Sequence, residues 1–146
     1  MRMRHVLLFS VLLCLVMGVT KVCLAEEIQF THHPLVIVGV AIYGVESSYN
    51  PCPEDGDGGK AVGPFQIWMC VVEDVNERWG TNYTSEDRRD LLKSSEIFVR
   101  YCMRWEPKGD MEAWARLWNG GPQWREKKEK TDEYWKKVQI ELNKEQ

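Results

Sequence analysis

The sequence is short of positive charge. Nineteen lysines and arginines stand against 22 aspartates and glutamates, giving a net charge of −3 at pH 7. A protein that grips nucleic acid through its phosphates needs a basic face, so this balance excludes that class of partner. Histidine is scarce as well, with three in the chain. His32 and His33 lie near a terminus and make a poor case for activating a thiol on Cys52 or Cys70. There is no internal repeat, low-complexity tract or linker, which leaves a single domain as the unit of folding.

The long apolar run is at the beginning. Met1-Arg2-Met3-Arg4-His5 is basic, and Val6 to Val19 is apolar apart from Ser10. That pattern predicts a secretory signal, too short to persist as a membrane span. Cys23-Leu24-Ala25 offers the small residues a signal peptidase reads, which places the cut after Ala25. Residues 1–25 are then the signal and 26–146 the mature domain, secreted or periplasmic, without a membrane span and monomeric. Cleavage removes three of the 19 basic side chains and none of the acids, so the mature net charge is −6. Such a chain has no strong overall attraction to an anionic polymer. Cys52, Cys70 and Cys102 remain, enough for one disulfide, either Cys70–Cys102 or Cys52–Cys70. Asn82-Tyr83-Thr84 fits a glycosylation sequon.

The mature chain reads as mostly helical. Pro34 suits a first helical residue, and Leu35, Val38, Ile42 and then Val45 or Glu46 recur at helical spacing. The run is rich in β-branched residues, so a strand is the local alternative. Asn50-Pro51 ends the element near Ser47. Residues 49–66 form a loop, with room for a small hairpin across its glycines. Trp68, Val72, Val75 and Trp79 mark a second helix stopped by Gly80. Thr84 or Ser85 is expected to cap a third, with Leu91, Ser95, Phe98, Cys102 and Trp105 inward and Pro107 as its stop. Asp110 caps a short helix carrying Met111, Trp114 and Trp118, which ends at Asn119-Gly120-Gly121-Pro122. Thr131 caps the last, with Trp135, Val138 and Leu142 inward. Glu126 to Lys130 reads as a solvated connection.

Chemistry concentrates between Val45 and Ile67. Glu46 continues the apolar stripe of the first helix and sits in its last turn, where the helix dipole disfavours negative charge. Desolvation and dipole both push its proton affinity upward, as a general acid at neutral pH requires. Glu54, Asp55 and Asp57 follow in the loop. A raised acid beside a better-solvated carboxylate is the arrangement used in glycoside hydrolysis. Asp55-Gly56-Asp57 also begins like a calcium loop, but Gly59, Lys60 and Gln66 occupy the positions that need an oxygen ligand, a glycine and a glutamate. No metal or organic cofactor is implied.

The order of the motifs adds to this. Glu46-Ser47-Ser48-x-Asn50-Pro51, Gly63-x-x-Gln66-Ile67, Ala115-Arg116-Leu117-Trp118-Asn119-Gly120-Gly121-Pro122 and Tyr134-Trp135-Lys136-Lys137-Val138 follow one another along the chain. Together they resemble the lysozyme-like superfamily. The early motifs look like soluble lytic transglycosylases, the later ones more like invertebrate-type lysozymes and their bacterial relatives. The resemblance implies a mainly α domain of the α+β lysozyme-like kind, a helical body with an acidic, glycine-rich loop or small hairpin forming a sugar cleft. It also implies cleavage of β-1,4 links between N-acetylmuramic acid and N-acetylglucosamine in peptidoglycan or a related amino-sugar polymer. Glu46 matches the general acid. Asp57, ahead of Asp55, matches the second carboxylate. Ser47, Gln66, Trp118, Asn119 and Tyr134 fall at substrate-binding positions. Two other readings stand beside it: a lytic transglycosylase relying on Glu46 alone and leaving anhydro-muramyl ends, and a non-catalytic glycan-binding or inhibitor module. The chain departs from the invertebrate type in its few cysteines and in having Trp118 where a histidine is expected.

Overall fold

The computed structural model describes residues 33–144, so the expected signal segment, its cleavage point and His32 lie outside it. The described chain is mainly α. Its helices are α1 (Pro34–Ser47), α2 (Met69–Trp79), α3 (Leu91–Trp105), α4 (Met111–Gly120) and α5 (Asp132–Asn143). Short 3-10 turns cover Asp57–Gly59, Glu86–Arg89 and Trp124–Thr131. No helix among the described residues is long and apolar enough to cross a membrane.

The first helix is the axis of the molecule. Pro34 fixes the backbone at its start, and His33 Nδ1 accepts the Leu35 N–H at 3.2 Å. Leu35, Val36, Val38, Val40, Ala41, Ile42 and Tyr43 are all buried, so α1 is apolar on almost every side. A helix of that kind must be surrounded, and α3, α4 and α5 pack around it. Central burial overrides the local strand preference of its β-branched residues. The helix ends where Ser48 turns left-handed at φ 52°, its N–H returning to the Gly44 carbonyl at 2.9 Å.

Aromatic packing joins α1 to the loop and to the far helices. The Phe65 ring is fully buried, stacked 5.8 Å from Tyr43 and 5.4 Å from Phe98. Trp118 of α4 sets its ring edge-on to Phe65, Phe98 and Tyr101. Removing Phe65 from water contributes roughly 2–3 kcal/mol. Its larger effect is positional, because the same residue anchors the turn that carries Gln66.

The acidic loop folds back through two isolated antiparallel bridges, Gly56 with Ala61 and Val62 with Ile67, each closing its own turn, rather than as a paired hairpin. Arg88 holds it from behind. This arginine is only 8% exposed. It donates to the Lys60 carbonyl at 3.2 Å, the Ile67 carbonyl at 3.0 Å, the Ser85 carbonyl at 3.0 Å and the Ser85 hydroxyl at 2.7 Å. A buried guanidinium costs several kcal/mol unless its donors are satisfied, so these acceptors hold one another in place.

Several local expectations differ. The third helix is capped by Asp90, whose carboxylate accepts the Lys93 N–H at 2.9 Å, and not by Thr84 or Ser85. Those residues lead into a separate turn in which Asp87 accepts from both the N–H and the hydroxyl of Thr84. Trp79 and Trp105 face outward, because each has a guanidinium over its ring and an acceptor for its indole N–H at the surface. Thr131 stands at the cap position of α5 as expected, but without a side-chain cap bond. Its hydroxyl donates to the Lys128 carbonyl and accepts from Arg116, spending it on the preceding turn. The expected disulfide is absent: Cys52 and Cys70 are exposed free thiols, while Cys102 is a free thiol sealed in the core.

Two glycines with positive φ separate backbone strain from crowding. Gly80 closes α2 at φ 63° with open space around it, whereas a Cβ on Gly63 (φ 76°) would lie 1.8 Å from the Arg88 carbonyl oxygen. Gly80→Ala is expected to cost about 1 kcal/mol, the ordinary penalty of a left-handed alanine. Gly63→Ala should cost about 3 kcal/mol or more, because the loop must leave Arg88. Urea midpoints of the two variants check the difference.

Candidate active site

Helix α1 delivers Glu46 one residue before its end. The side chain is partly buried, and its Oε1 accepts the Tyr134 hydroxyl at 2.5 Å. Burial dominates its electrostatics and raises its pKa to about 7; the Tyr134 hydrogen bond and the charge of Lys137 pull it down, and Asp57 pushes it up. Tyr134 is itself driven well above the ordinary tyrosine range by burial and by Glu46, so it remains a donor. At neutral pH the pair holds a proton that the carboxyl can release, as general acid work needs.

A cleft of about 540 Å³ opens beside Glu46. Asp57 and Gln66 line it from the loop, Trp68 and Cys70 from the start of α2, and Trp118, Asn119 and Pro122 from the end of α4. The structure therefore brings Glu46, Asp57, Gln66, Trp118 and Asn119 to one concavity. Cavities of this size with a few convergent polar groups are where small ligands bind.

The two candidate aspartates are distinguished by their partners. Asp55 is gripped by Arg89 through two hydrogen bonds of 2.7 and 2.8 Å, and this pairing holds its carboxyl below the usual range. It does not line the cleft. Asp57 does, and it sits at φ 49°, a conformation that non-glycine residues seldom adopt. Gln66 shares that strain at φ 50°. Both amide donors are employed: Nε2 donates to the Glu54 carbonyl at 3.2 Å and the Gly63 carbonyl at 3.0 Å, while Oε1 accepts the Gly56 N–H at 3.1 Å. Gln66 thus fastens the acidic loop to its own turn while forming part of the wall. Left-handed Ser48 and Tyr49 complete a set of four such residues among those described, all between the end of α1 and the start of α2. Strain of this kind persists where surrounding contacts enforce it, often at functional sites.

Ser47 and Tyr134 stand elsewhere than on the cleft wall. The Ser47 hydroxyl donates back to the Tyr43 carbonyl at 3.0 Å, inside its own helix. Tyr134 reaches the site through Glu46, as a positioning residue. Trp124 is buried, with its indole N–H on Glu106. Tyr49 bridges to α5, its hydroxyl donating to Glu141 at 3.0 Å. Arg88, Arg89 and Glu141 hold the site in shape, yet each lies far along the chain from what it holds. Among the described residues no group of three or more His, Cys, Asp or Glu is placed to ligate a metal.

The pKa of Glu46 gives two expected outcomes. Its carboxyl should titrate near 7 by carbon-detected NMR, and Tyr134→Phe should move that midpoint upward, since the lost hydrogen bond favours the ionised form. The unfolded chain ionises this group near 4.5, whereas the folded protein resists until about 7. Stability is therefore lost as pH rises through that window. Glu46→Gln is expected to stabilise the protein by on the order of 2 kcal/mol at pH 8 and to change it little below pH 4.5. Denaturant titrations at the two pH values check this. No family model matches the chain, and neither a curated protein nor a solved structure matches it.

Proposed function

We propose that this chain is an exported glycosidase that cleaves β-1,4 links between N-acetylmuramic acid and N-acetylglucosamine. The observation that carries the reading is Glu46: a carboxyl with a pKa of about 7, on the wall of a cleft that also holds Asp57. Glu46 protonates the leaving glycosidic oxygen. Asp57 stabilises the positive charge developing at the sugar ring, attacks it, or directs a water to it. Asn119 and the face of Trp68 orient the saccharide, lowering part of the barrier by position alone. The lysozyme-like resemblance of the ordered motifs supports this reading independently of the geometry.

A lytic transglycosylase is the second reading. It needs Glu46 alone, and the Arg89 clamp on Asp55 takes away one of the two loop aspartates a hydrolase could use. A non-catalytic glycan-binding or inhibitor module is the reading outside enzymology, and the net negative charge suits it. Wall suspensions treated with wild type and Glu46→Gln decide between enzyme and module. Loss of a general acid is expected to slow clearing by about 10²–10⁴-fold, whereas equal clearing by the two proteins means the acid does no chemistry. Mass spectrometry of the products then separates hydrolysis, with new reducing ends, from transglycosylation, with anhydro ends. The rate should fall as pH rises past about 7, where Glu46 loses its proton, and Tyr134→Phe should carry that limb to higher pH.

A further inference from the structure

The cleft carries an exposed aromatic plane as well as its acids. Asp57 lines one part of the cleft, while Trp68 stands on its wall, 42% exposed. Over the Trp68 ring lies the Lys60 ammonium, 5.6 Å from the centroid. Other cations near the site are already committed. Arg88 is spent on loop carbonyls and Ser85, Arg89 on Asp55 and Glu86, and Lys137 is felt at Glu46. Lys60 forms no ion pair among the described residues, although its loop also carries Glu54, Asp55 and Asp57. Its main chain is fixed by Arg88, which takes the Lys60 carbonyl at 3.2 Å. The side chain rests on an indole, an attachment worth only about 0.5–1 kcal/mol at an exposed site. A held backbone, a loosely parked cation and an exposed aromatic plane together suit a ligand with an apolar ring face and an anionic substituent.

We propose that Lys60 and Trp68 form a subsite for a sugar unit bearing a carboxylate, the indole packing on the ring and the ammonium pairing with the acid. The subsite deepens the glycosidase reading and rests on it for the identity of the sugar. A carboxylate placed beside Asp57 meets an acidic side chain of the cleft wall. Beside the Lys60 ammonium over the Trp68 ring it is attracted, so the pair selects carboxylated glycans over neutral ones. The carboxylate can be a free lactyl group on muramic acid or the acid of a short peptide attached to it.

Isothermal titration calorimetry on the Glu46→Gln protein, which stops turnover, tests the subsite with three probes. They are the uncharged tetrasaccharide of N-acetylglucosamine, the alternating N-acetylglucosamine–N-acetylmuramic acid tetrasaccharide, and the latter with its lactyl groups capped by alanyl-glutamate. Added Lys60→Glu is expected to weaken at least one charged probe by about five- to tenfold, while the neutral probe changes less than about twofold. The charged probe that responds identifies the source of the carboxylate. Added Trp68→Ala should weaken charged and neutral probes alike, and the charge preference should shrink as salt is raised. The subsite is overturned if Glu46→Gln without further change binds all three probes equally or none, or if Lys60→Glu weakens neutral and charged probes in proportion. Wall clearing by proteins that retain Glu46 is scored separately. A charge preference that persists without Glu46-dependent cleavage keeps the subsite and removes the glycosidase, and the opposite result does the reverse.

Discussion

The Arg88 guanidinium is the contact on which the rest of the site depends. It lies behind the loop and gathers the carbonyls of Lys60 and Ile67 with both acceptors of Ser85. Those carbonyls lie at the two isolated bridges of the loop, so one side chain sets the spacing between the acidic loop and the start of α2. Gly63 lies against the Arg88 main chain so closely that no side chain fits between them. Phe65 fills the space beneath, with Tyr43 on one side and Phe98 on the other. The left-handed backbones of Asp57 and Gln66 are held by this frame, and none of its parts would support them alone.

Much of the fold could be read from the sequence because its signals are local. Pro34, the Asn50-Pro51 stop, Gly80, Asp110 and the Gly120-Gly121-Pro122 end each act within a few residues, and the helices begin and end beside them. The failures also have local causes. Asp90 stands next to the first residue of α3 and takes the cap that Thr84 or Ser85 could have filled. Trp79 and Trp105 occupy helical stripes that periodicity assigns to the core, but an indole flanked by arginine and given an outside acceptor is stable at the surface. Pairing among Cys52, Cys70 and Cys102 was never readable, since spacing along the chain says nothing of how the sulfurs are separated in space.

The candidate site divides along the same line. Glu46, Asp57, Gln66, Trp118 and Asn119 were found from residue type and order, and they meet at one cleft. What the sequence could not supply was which groups are already occupied. Asp55 and Asp57 are two residues apart and chemically identical, yet Arg89 takes one and leaves the other. Tyr134 looks like a sugar ligand by position and turns out to hold the acid. Gln66 looks like one too, but its amide hydrogen bonds belong to the loop. Each of these assignments depends on a partner distant in sequence, which pattern reading along one chain does not reach.

The last described helix has a consequence of a different kind. Tyr134, Lys137 and Glu141 share one face of α5, and all three act on the end of α1: on Glu46 by hydrogen bond, on Glu46 by charge, and on Tyr49 by hydrogen bond. Glu46 is synthesised early, whereas the groups that tune it are synthesised late. Burial raises its proton affinity while Tyr134 and Lys137 lower it, so the side chains that α5 brings moderate the shift rather than create it.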